Sequence, residues 1–335
     1  MCFAVARRKL EACRRDLARA GTLRRKGNLM NRAVSGALPD ARLSRRSAVS
    51  HLAAAGVAAL FAATSFGPPR GAAQGARPLA RSAVSPLRKG TTMTETASPA
   101  NSTPTVVLVH GAFADSTSWN GVIPDLLAGG YRVVAAANPL RSVQGDAEYV
   151  ASVLAGISGP IVLVGHSYGG IVISNAATGN DNVKALVYVA GFAPDTGESA
   201  VSLAGQFPGS TLGPALAPNP LPDGGNDLSI RPDTFWSQFA ADLPEADAAL
   251  MATTQRPVTE AALTDSSGDP AWKSIPAWFV YGELDKNIPA AAERFMAERA
   301  GAKAAIEVPG ASHVVMLSQP QAVTDVILSA ISAVS

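Results

Sequence analysis

The feature that most constrains this chain is a serine at a junction between two predicted elements. Residues 161–164 form the apolar run Ile-Val-Leu-Val, which predicts a buried strand, and residues 165–170 read Gly-His-Ser-Tyr-Gly-Gly. A Gly-x-Ser-x-Gly motif between a strand and a helix raises the serine hydroxyl above the sheet edge, at the positive end of the helix dipole. A side chain at Gly165 or Gly169 would collide with the neighbouring helix or strand in so tight a bend. The motif therefore predicts an α/β fold in which Ser167 is a nucleophile.

A nucleophilic serine needs a general base, and the four histidines of the chain leave one candidate. His51 lies in the N-terminal extension, His166 lies inside the serine motif, where we expect it to pack, and His110 belongs to a second motif. His313 follows a strand predicted near residues 305–308, in the loop Pro-Gly-Ala-Ser-His. We therefore predict that His313 accepts the serine proton.

The base in turn needs a carboxylate that orients its ring and stabilises the imidazolium. Residues 277–281 read Ala-Trp-Phe-Val-Tyr, which predicts a buried strand, and Asp285 lies in the loop after it. This is where α/β enzymes place functional groups. Glu283 in the same loop and Asp195, after an earlier predicted strand, are the rival carboxylates. We predict Asp285 as the acid.

The second motif, His-Gly-Ala-Phe at residues 110–113, ends the first predicted strand. Backbone N–H groups in this turn can face the nucleophile, and the residue after the serine supplies a second donor. We predict that Ala112 and Tyr168 form the oxyanion hole, with Phe113 as the alternative to Ala112. Gly111 is expected to let the backbone approach the substrate closely.

Four stretches of the chain resemble the α/β-hydrolase superfamily, and within it the small bacterial esterases related to plant methyl-ester hydrolases and hydroxynitrile lyases. These stretches are residues 108–112, 163–170, 187–195 and 313–320. The resemblance extends over residues 105–332, and it implies a Ser-Asp-His triad, two backbone oxyanion donors and a helical cap. The order Ser167, Asp285, His313 along the chain is the order that this fold requires.

Two positions favour an esterase over a lyase. As the resemblance implies, hydroxynitrile lyases of this group carry a threonine in the first oxyanion loop and a lysine after the catalytic histidine. This chain has Gly111 and Val314 at those places, so no cation is available to stabilise a departing cyanide.

We therefore predict a serine carboxylic-ester hydrolase that acts on a small to medium ester. Hydroxynitrile lyase-like activity, cofactor-free peroxidase activity and a slow-turnover ligand-binding protein are the alternatives. The predicted reaction needs no metal or organic cofactor, and the spacing of histidines, cysteines and carboxylates predicts no zinc site.

Predicted strands and helices alternate from residue 104 onward, which favours an α/β-hydrolase fold with a mostly parallel sheet of about six strands and helices on both faces. Strands are expected near residues 105–109, 131–136, 161–165, 183–190, 277–282 and 305–308. The apolar spacing also predicts a helix over residues 147–157 and a last helix that begins at Pro320.

The alternation breaks at about residues 195–275, and we place a small helical cap there within a hydrolase domain of residues 104–335. The residues expected to line the substrate pocket flank the catalytic loops and are Phe113, Trp119, Phe192 and Met316. Apolar cap residues could wall the pocket as well: Phe207, Leu212, Leu221, Phe235, Trp236 and Phe239, of which the last three have the spacing of a cap core.

The first 90 residues are strongly basic, with 18 Lys or Arg against 3 Asp or Glu, whereas the remainder has 10 against 23. Paired arginines at residues 44–47, before a mildly apolar run at residues 52–66, resemble a twin-arginine export signal. We expect residues 1–75 to be this basic extension and residues 76–103 to be a flexible linker. The processed protein is then periplasmic or secreted.

The charge and cysteine content of the remaining chain bear on its partners. An acidic body disfavours nucleic acid and anionic substrates, so we expect a small-molecule ester and no nucleic-acid partner. We also expect no stable membrane association after processing, because the apolar run is too short for a comfortable span. Both cysteines, Cys2 and Cys13, lie in the extension, so a processed chain would form no disulfide.

Overall fold

The computed structural model describes residues 103–222 and 224–335. The strands are, in chain order, β1 Thr105–Val109, β2 Arg132–Ala136, β3 Ile161–Ser167, β4 Val183–Gly191, β5 Leu216–Pro220, β6 Asn226–Ile230, β7 Val258–Thr259, β8 Ala277–Gly282 and β9 Ala304–Val308. Six of them form one parallel sheet in the order β2-β1-β3-β4-β8-β9. These six lie where the apolar runs predict them, and the predicted fold class is confirmed.

The central strands are deeply buried, and their register fixes the position of the loops that follow them. Every residue of β1, β3 and β8 is buried, as expected for near-continuous apolar strands of a parallel sheet. In the pairing of β1 with β3, Val109 lies opposite Gly165. The turns after these two strands therefore leave the same edge of the sheet side by side, and they carry Gly111 and Ser167.

Helices follow most strands. They are α1 Ile123–Ala128, α2 Val143–Ala155, α3 Tyr168–Ala176, α4 Ala200–Gln206, α5 Leu212–Ala215, α6 Pro232–Phe239, α7 Glu245–Thr254, α8 Glu260–Thr264, α9 Ala290–Arg299, α10 Val315–Ser318 and α11 Pro320–Val334. Helix α2 begins one turn earlier than its apolar spacing predicts, because the Ser142 hydroxyl accepts a hydrogen bond from the Gly145 N–H at 3.0 Å and caps it. Helix α11 begins at Pro320, as predicted.

The segment between β4 and β8 forms the cap, with helices α4 to α8 and a small antiparallel sheet in which β6 pairs with β5 and β7. The structure thus adds a sheet to the helical cap that the sequence predicts. Pro218 and Pro220 lie in β5, an edge strand, where residues without an N–H are tolerated. The sequence analysis does not predict this strand, two of whose five residues are prolines.

Among the described residues, two ion pairs join the cap to the core. Arg141 contacts Asp227 of β6 at 2.7 Å. Arg299 of α9 donates two hydrogen bonds to the Glu198 carboxylate, both at 2.8 Å, and its guanidinium lies 5.6 Å from the centre of the Trp272 ring. The Arg299 pair is two-pronged and only about one-fifth exposed, so it stabilises the base of the cap more than a surface pair would.

Within the described residues, no helix has both the length and the apolar character needed to span a membrane. The predicted basic extension, residues 1–75, and the predicted linker up to residue 102 lie outside the described residues.

Candidate active site

Ser167 is the last residue of β3, and α3 begins at Tyr168. Its backbone has φ 54° and ψ −124°, a region that residues with a side chain rarely adopt. A Cβ on Gly165 would lie 2.6 Å from the Gly169 carbonyl oxygen, and a Cβ on Gly169 would lie 2.5 Å from the Val109 carbonyl oxygen. The steric reason predicted for both glycines is therefore present in the structure.

Gly111 adjoins the serine itself. A Cβ at this position would lie 2.6 Å from the Ser167 Cβ and 2.7 Å from the His166 carbonyl oxygen. The absence of a side chain at Gly111 therefore leaves room for Ser167, and the predicted close approach of this backbone to a substrate remains a prediction.

His313 and Asp285 meet in a buried hydrogen bond. His313 Nδ1 lies 2.6 Å from Asp285 Oδ2, and both side chains are almost completely shielded from solvent. The other carboxylate oxygen, Oδ1, accepts hydrogen bonds from the N–H groups of Asn287 at 2.7 Å and Ile288 at 3.0 Å. The loop after β8 thus fixes the carboxylate, and the carboxylate orients the imidazole.

The rival carboxylates are occupied elsewhere. Asp195 contacts Lys273 at 2.7 Å on the surface. Glu283 accepts a hydrogen bond from the Gly310 N–H at 2.9 Å. Among the described residues, Asp285 is the carboxylate that contacts His313.

Ser167 and His313 line the same cavity. In the described part of the chain, His313 Nε2 has no hydrogen-bond partner, and the Ser167 hydroxyl makes no hydrogen bond to a side chain. The free Nε2 is the nitrogen that a general base uses, because the other nitrogen is held by the carboxylate. Hydrogen bonds between catalytic groups are often long without substrate and shorten when it binds.

The two predicted oxyanion donors also line this cavity. Tyr168 is the first residue of α3, so its N–H has no acceptor within the helix. No described residue accepts a hydrogen bond from the Ala112 N–H, whereas the Phe113 N–H donates to the Arg256 carbonyl at 3.1 Å. The geometry therefore favours Ala112 over Phe113 as the partner of Tyr168.

His166 has a contact that its position in the motif does not reveal. Its Nε2 lies 3.1 Å from the His313 carbonyl oxygen, so the neutral ring donates a hydrogen bond to the backbone of the candidate base. Complete burial, with a smaller contribution from His313, lowers the pKa of His166 well below its ordinary value of 6.5. The sequence predicts only that this ring packs, because nothing local indicates an acceptor 147 residues away.

The cavity beside Ser167 has a volume of about 420 Å³ and mostly apolar walls. Of the residues predicted to line it, Phe113 and Phe192 do so, as does Tyr168. Of the six apolar cap residues that could wall the pocket, Phe207, Leu212 and Phe239 line the cavity and Leu221 does not, whereas Phe235 is buried in the cap and Trp236 is exposed.

Trp119 and Met316 do not line the cavity, contrary to the prediction. Both are fully buried. The Trp119 ring packs edge-on against His166, with ring centres 6.4 Å apart, because the turn at Ser116–Trp119 directs it beneath the serine motif. Met316 lies in the short helix α10, on its buried side. Flanking a catalytic loop in sequence is therefore insufficient to place a side chain in the cavity.

The described residues contain no cluster of three or more histidine, cysteine or carboxylate side chains that could hold a metal ion.

Comparison with known proteins agrees with the observed fold. The family model of the Alpha/beta hydrolase family matches residues 106–326. Methylesterase 1 of Arabidopsis thaliana is 26% identical over 247 residues, which cover 66% of this chain and 94% of the relative. The Alpha-hydroxynitrile lyase of the same plant is 26% identical over 241 residues, covering 65% and 93%. The crystal structure of polyneuridine aldehyde esterase has a TM-score of 0.60 and 22% identity, covering 68% and 98%, so it is similar in fold.

Proposed function

Because this chain belongs to the alpha/beta hydrolase family, we propose that it is a serine hydrolase that cleaves a small to medium carboxylic ester through an acyl-enzyme on Ser167. The observation that carries the proposal is the 2.6 Å contact of His313 with Asp285, at a cavity that Ser167 also lines. Similarity to a methylesterase supports ester hydrolysis.

In the proposed reaction, His313 Nε2 removes the Ser167 proton while the hydroxyl oxygen attacks the ester carbonyl. Asp285 holds the imidazole in the tautomer that leaves Nε2 free and stabilises the imidazolium that forms. His313 then returns the proton to the leaving alcohol, and water hydrolyses the acyl-enzyme by the same steps in reverse.

The negative charge of the tetrahedral intermediate is assigned to the N–H groups of Ala112 and Tyr168. These amides are held by the backbone before the substrate arrives, so they need no reorganisation during the reaction. Removing one such donor typically lowers kcat by about 10²- to 10³-fold. The Tyr168 amide also benefits from the positive end of the α3 dipole.

The walls of the cavity favour an uncharged substrate. No Asp, Glu, Lys or Arg side chain from the described residues lines it. The Ser210 hydroxyl donates to the Asn287 carbonyl, and the Asn287 side chain is paired with Gln238, so these polar groups are already satisfied. A charged acyl group would lose its hydration without gaining a partner. The volume of about 420 Å³ suits a small to medium ester.

A hydroxynitrile lyase is the second candidate, because the Arabidopsis lyase is as similar to this chain as the methylesterase. Val314, after the candidate base, is apolar and fully buried, so it offers no charge to a departing cyanide. A side chain at Gly111 would also press against Ser167. Release of cyanide from mandelonitrile by the purified protein, at a rate above its ester hydrolysis, would favour the lyase instead.

The proposal is tested with the full chain and p-nitrophenyl acetate and butyrate. We expect turnover by the wild type and none above background for Ser167→Ala, because the nucleophile is lost. Ser152→Ala, which removes an exposed hydroxyl on α2, is the matched control and should keep wild-type kcat.

Intact mass after treatment with a fluorophosphonate completes the test. The wild type and Ser152→Ala should gain one phosphonyl group, and Ser167→Ala should gain none. With p-nitrophenyl acetate, a gain of one acetyl group in mass, followed by very slow release of that group, would indicate a ligand-binding protein that keeps the nucleophile. Equal hydrolysis by the wild type and Ser167→Ala would refute the assignment of the nucleophile.

A further inference from the structure

One short segment of the cap contacts both loops that carry the candidate acid and base. This segment, residues 238–242, comprises the last residues of α6 and the turn after it, and we refer to it as the brace. It contributes three side chains to the interface: Gln238, Phe239 and Asp242. The brace belongs to the insertion between β4 and β8, so it is not part of the central sheet.

On the acid side, Gln238 holds the loop that follows β8. Its Nε2 donates to the Lys286 carbonyl at 2.9 Å and to Asn287 Oδ1 at 3.0 Å, and Asn287 Nδ2 donates to the Gln238 carbonyl at 3.3 Å. Gln238 and Asn287 are both more than 90% buried. The N–H of Asn287 is also one of the two that bind Asp285 Oδ1. Gln238 therefore holds Asn287, and Asn287 in turn holds the Asp285 carboxylate.

On the base side, Asp242 holds the residue immediately before His313. The Asp242 carboxylate accepts the Ser312 N–H at 2.9 Å and also the Ser312 hydroxyl. Ser312 is almost completely buried, so its N–H has no access to bulk solvent as a substitute partner. The Phe239 ring packs against the imidazole of His313, with ring centres 5.0 Å apart.

The core supplies its own restraint on the base. His166 donates to the His313 carbonyl from the serine motif, on the core side. Asp242 restrains the preceding peptide from the cap side. The imidazole is thus held between the core and the cap, and its position relative to Ser167 depends on both.

We propose that Asp242 and Gln238 are positioning residues for ester hydrolysis, through which the cap holds the base loop and the acid loop in register. This inference rests on the proposed function, because it assigns His313 and Asp285 to the reaction. Neither brace residue touches the reacting atoms. Displacement of a catalytic group by about 1 Å can lower the rate on the order of 100-fold, so such restraints have kinetic consequences.

The kinetic test compares Asp242→Ala, Asp242→Asn and the control Asp233→Asn in the full chain with p-nitrophenyl butyrate. Asp242→Ala leaves the Ser312 N–H without an acceptor, so we expect kcat to fall on the order of 10- to 100-fold with KM within about twofold of wild type. Asp242→Asn keeps an acceptor oxygen for that N–H and should restore kcat to within about threefold of wild type. Asp233 lies exposed at the other end of α6, so Asp233→Asn should behave as the wild type.

Gln238→Leu removes the acid-side contacts at similar volume and should also lower kcat more than it raises KM. A rise in KM with unchanged kcat for Asp242→Ala would overturn the positioning role, because it would assign the brace to substrate binding. Equal loss of kcat in Asp242→Ala and Asp242→Asn would also overturn it, because the restored acceptor would then have no effect.

A spectroscopic readout separates failure of this inference from failure of the proposed function. The proton shared by His313 Nδ1 and Asp285 should give a far-downfield proton resonance in the wild type and in Asp242→Asn. We expect it to weaken or shift in Asp242→Ala under conditions where circular dichroism is unchanged. If the wild type hydrolyses no ester, the proposed function fails, and this resonance still decides whether Asp242 holds the pair. An identical resonance in Asp242→Ala and the wild type would refute the positioning role of Asp242.

Discussion

Replacement of Asp285 by asparagine tests the acid–base pair most directly, because the structure dictates how the new side chain must lie. Asp285 Oδ1 accepts the N–H groups of Asn287 and Ile288, at 2.7 Å and 3.0 Å. An asparagine must keep its carbonyl oxygen on those two donors. The reversed orientation would leave both buried N–H groups without an acceptor, at about 1–3 kcal/mol each.

The asparagine NH₂ group therefore faces His313 Nδ1, where the carboxylate oxygen lies at 2.6 Å. An NH₂ group can only donate there, so Nδ1 must become the acceptor and the ring proton must move to Nε2. A protonated Nε2 cannot remove the Ser167 proton. The same change of tautomer in a serine protease lowers kcat about 10⁴-fold, which corresponds to a loss of about 5 kcal/mol of transition-state stabilisation.

The assay is steady-state hydrolysis of p-nitrophenyl butyrate, with urea unfolding to confirm that Asp285→Asn remains folded. The matched control is Asp195→Asn, which changes the rival carboxylate in the same way and should retain nearly all of kcat. If Asp285→Asn retains more than about a tenth of wild-type kcat, the tautomer reasoning is refuted. A large loss in Asp195→Asn alone would transfer the acid role to that residue.

Two further predictions concern buried groups near the site. Burial, together with nearby Asp285, raises the pKa of Glu293 well above its unfolded value of 4.5. The folded protein therefore retains this proton after the unfolded chain has lost it, so the wild-type free energy of unfolding should fall relative to Glu293→Gln as pH rises above 4.5. Urea unfolding of both proteins from pH 4 to 8 measures this, and parallel curves would contradict it. Tyr168→Phe removes the hydroxyl that donates to buried Asp146 at 2.8 Å, and it should lower the free energy of unfolding by about 1–3 kcal/mol while kcat is retained, because the oxyanion donor is the backbone N–H. A fall in kcat at saturating substrate, measured on folded protein, would mean that the hydroxyl takes part in the reaction.

The fold was predictable because its signals are local. Each strand of the large sheet is a short apolar run bounded by turn residues, and Pro320 marks the start of the last helix. The cap sheet was not predictable in this way. Strand β7 has two residues, Val258–Thr259, and its place depends on pairing with β6 and on contacts of Thr259 with Leu140 and Arg141.

The residues of the candidate site divide in the same way, into those with a local sequence signal and those without one. The serine motif and the histidine inventory pointed to residues that line one cavity, and the carboxylate after a strand is the one that contacts His313. The catalytic roles of these residues remain predictions. Residues that hold these groups from a distance were missed. Asp242 lies in a turn with no motif, and its partner Ser312 is 70 residues away. A hydrogen bond of that kind exists only after folding, so no periodicity or spacing in the sequence predicts it.

The strained backbone conformation of Ser167 has a consequence for the engineering of a thermally more stable version of this protein. A residue with a side chain in that conformation lowers the free energy of unfolding by on the order of 1–3 kcal/mol, and glycine would remove this strain. Glycine itself lowers the free energy of unfolding by about 0.5–1 kcal/mol, because it has more conformational freedom in the unfolded chain. Selection for heat resistance alone would therefore favour Ser167→Gly, a protein that the proposed mechanism predicts to be inactive. Ester turnover must be measured together with thermal stability, because the substitution that relieves strain at this position removes the proposed nucleophile.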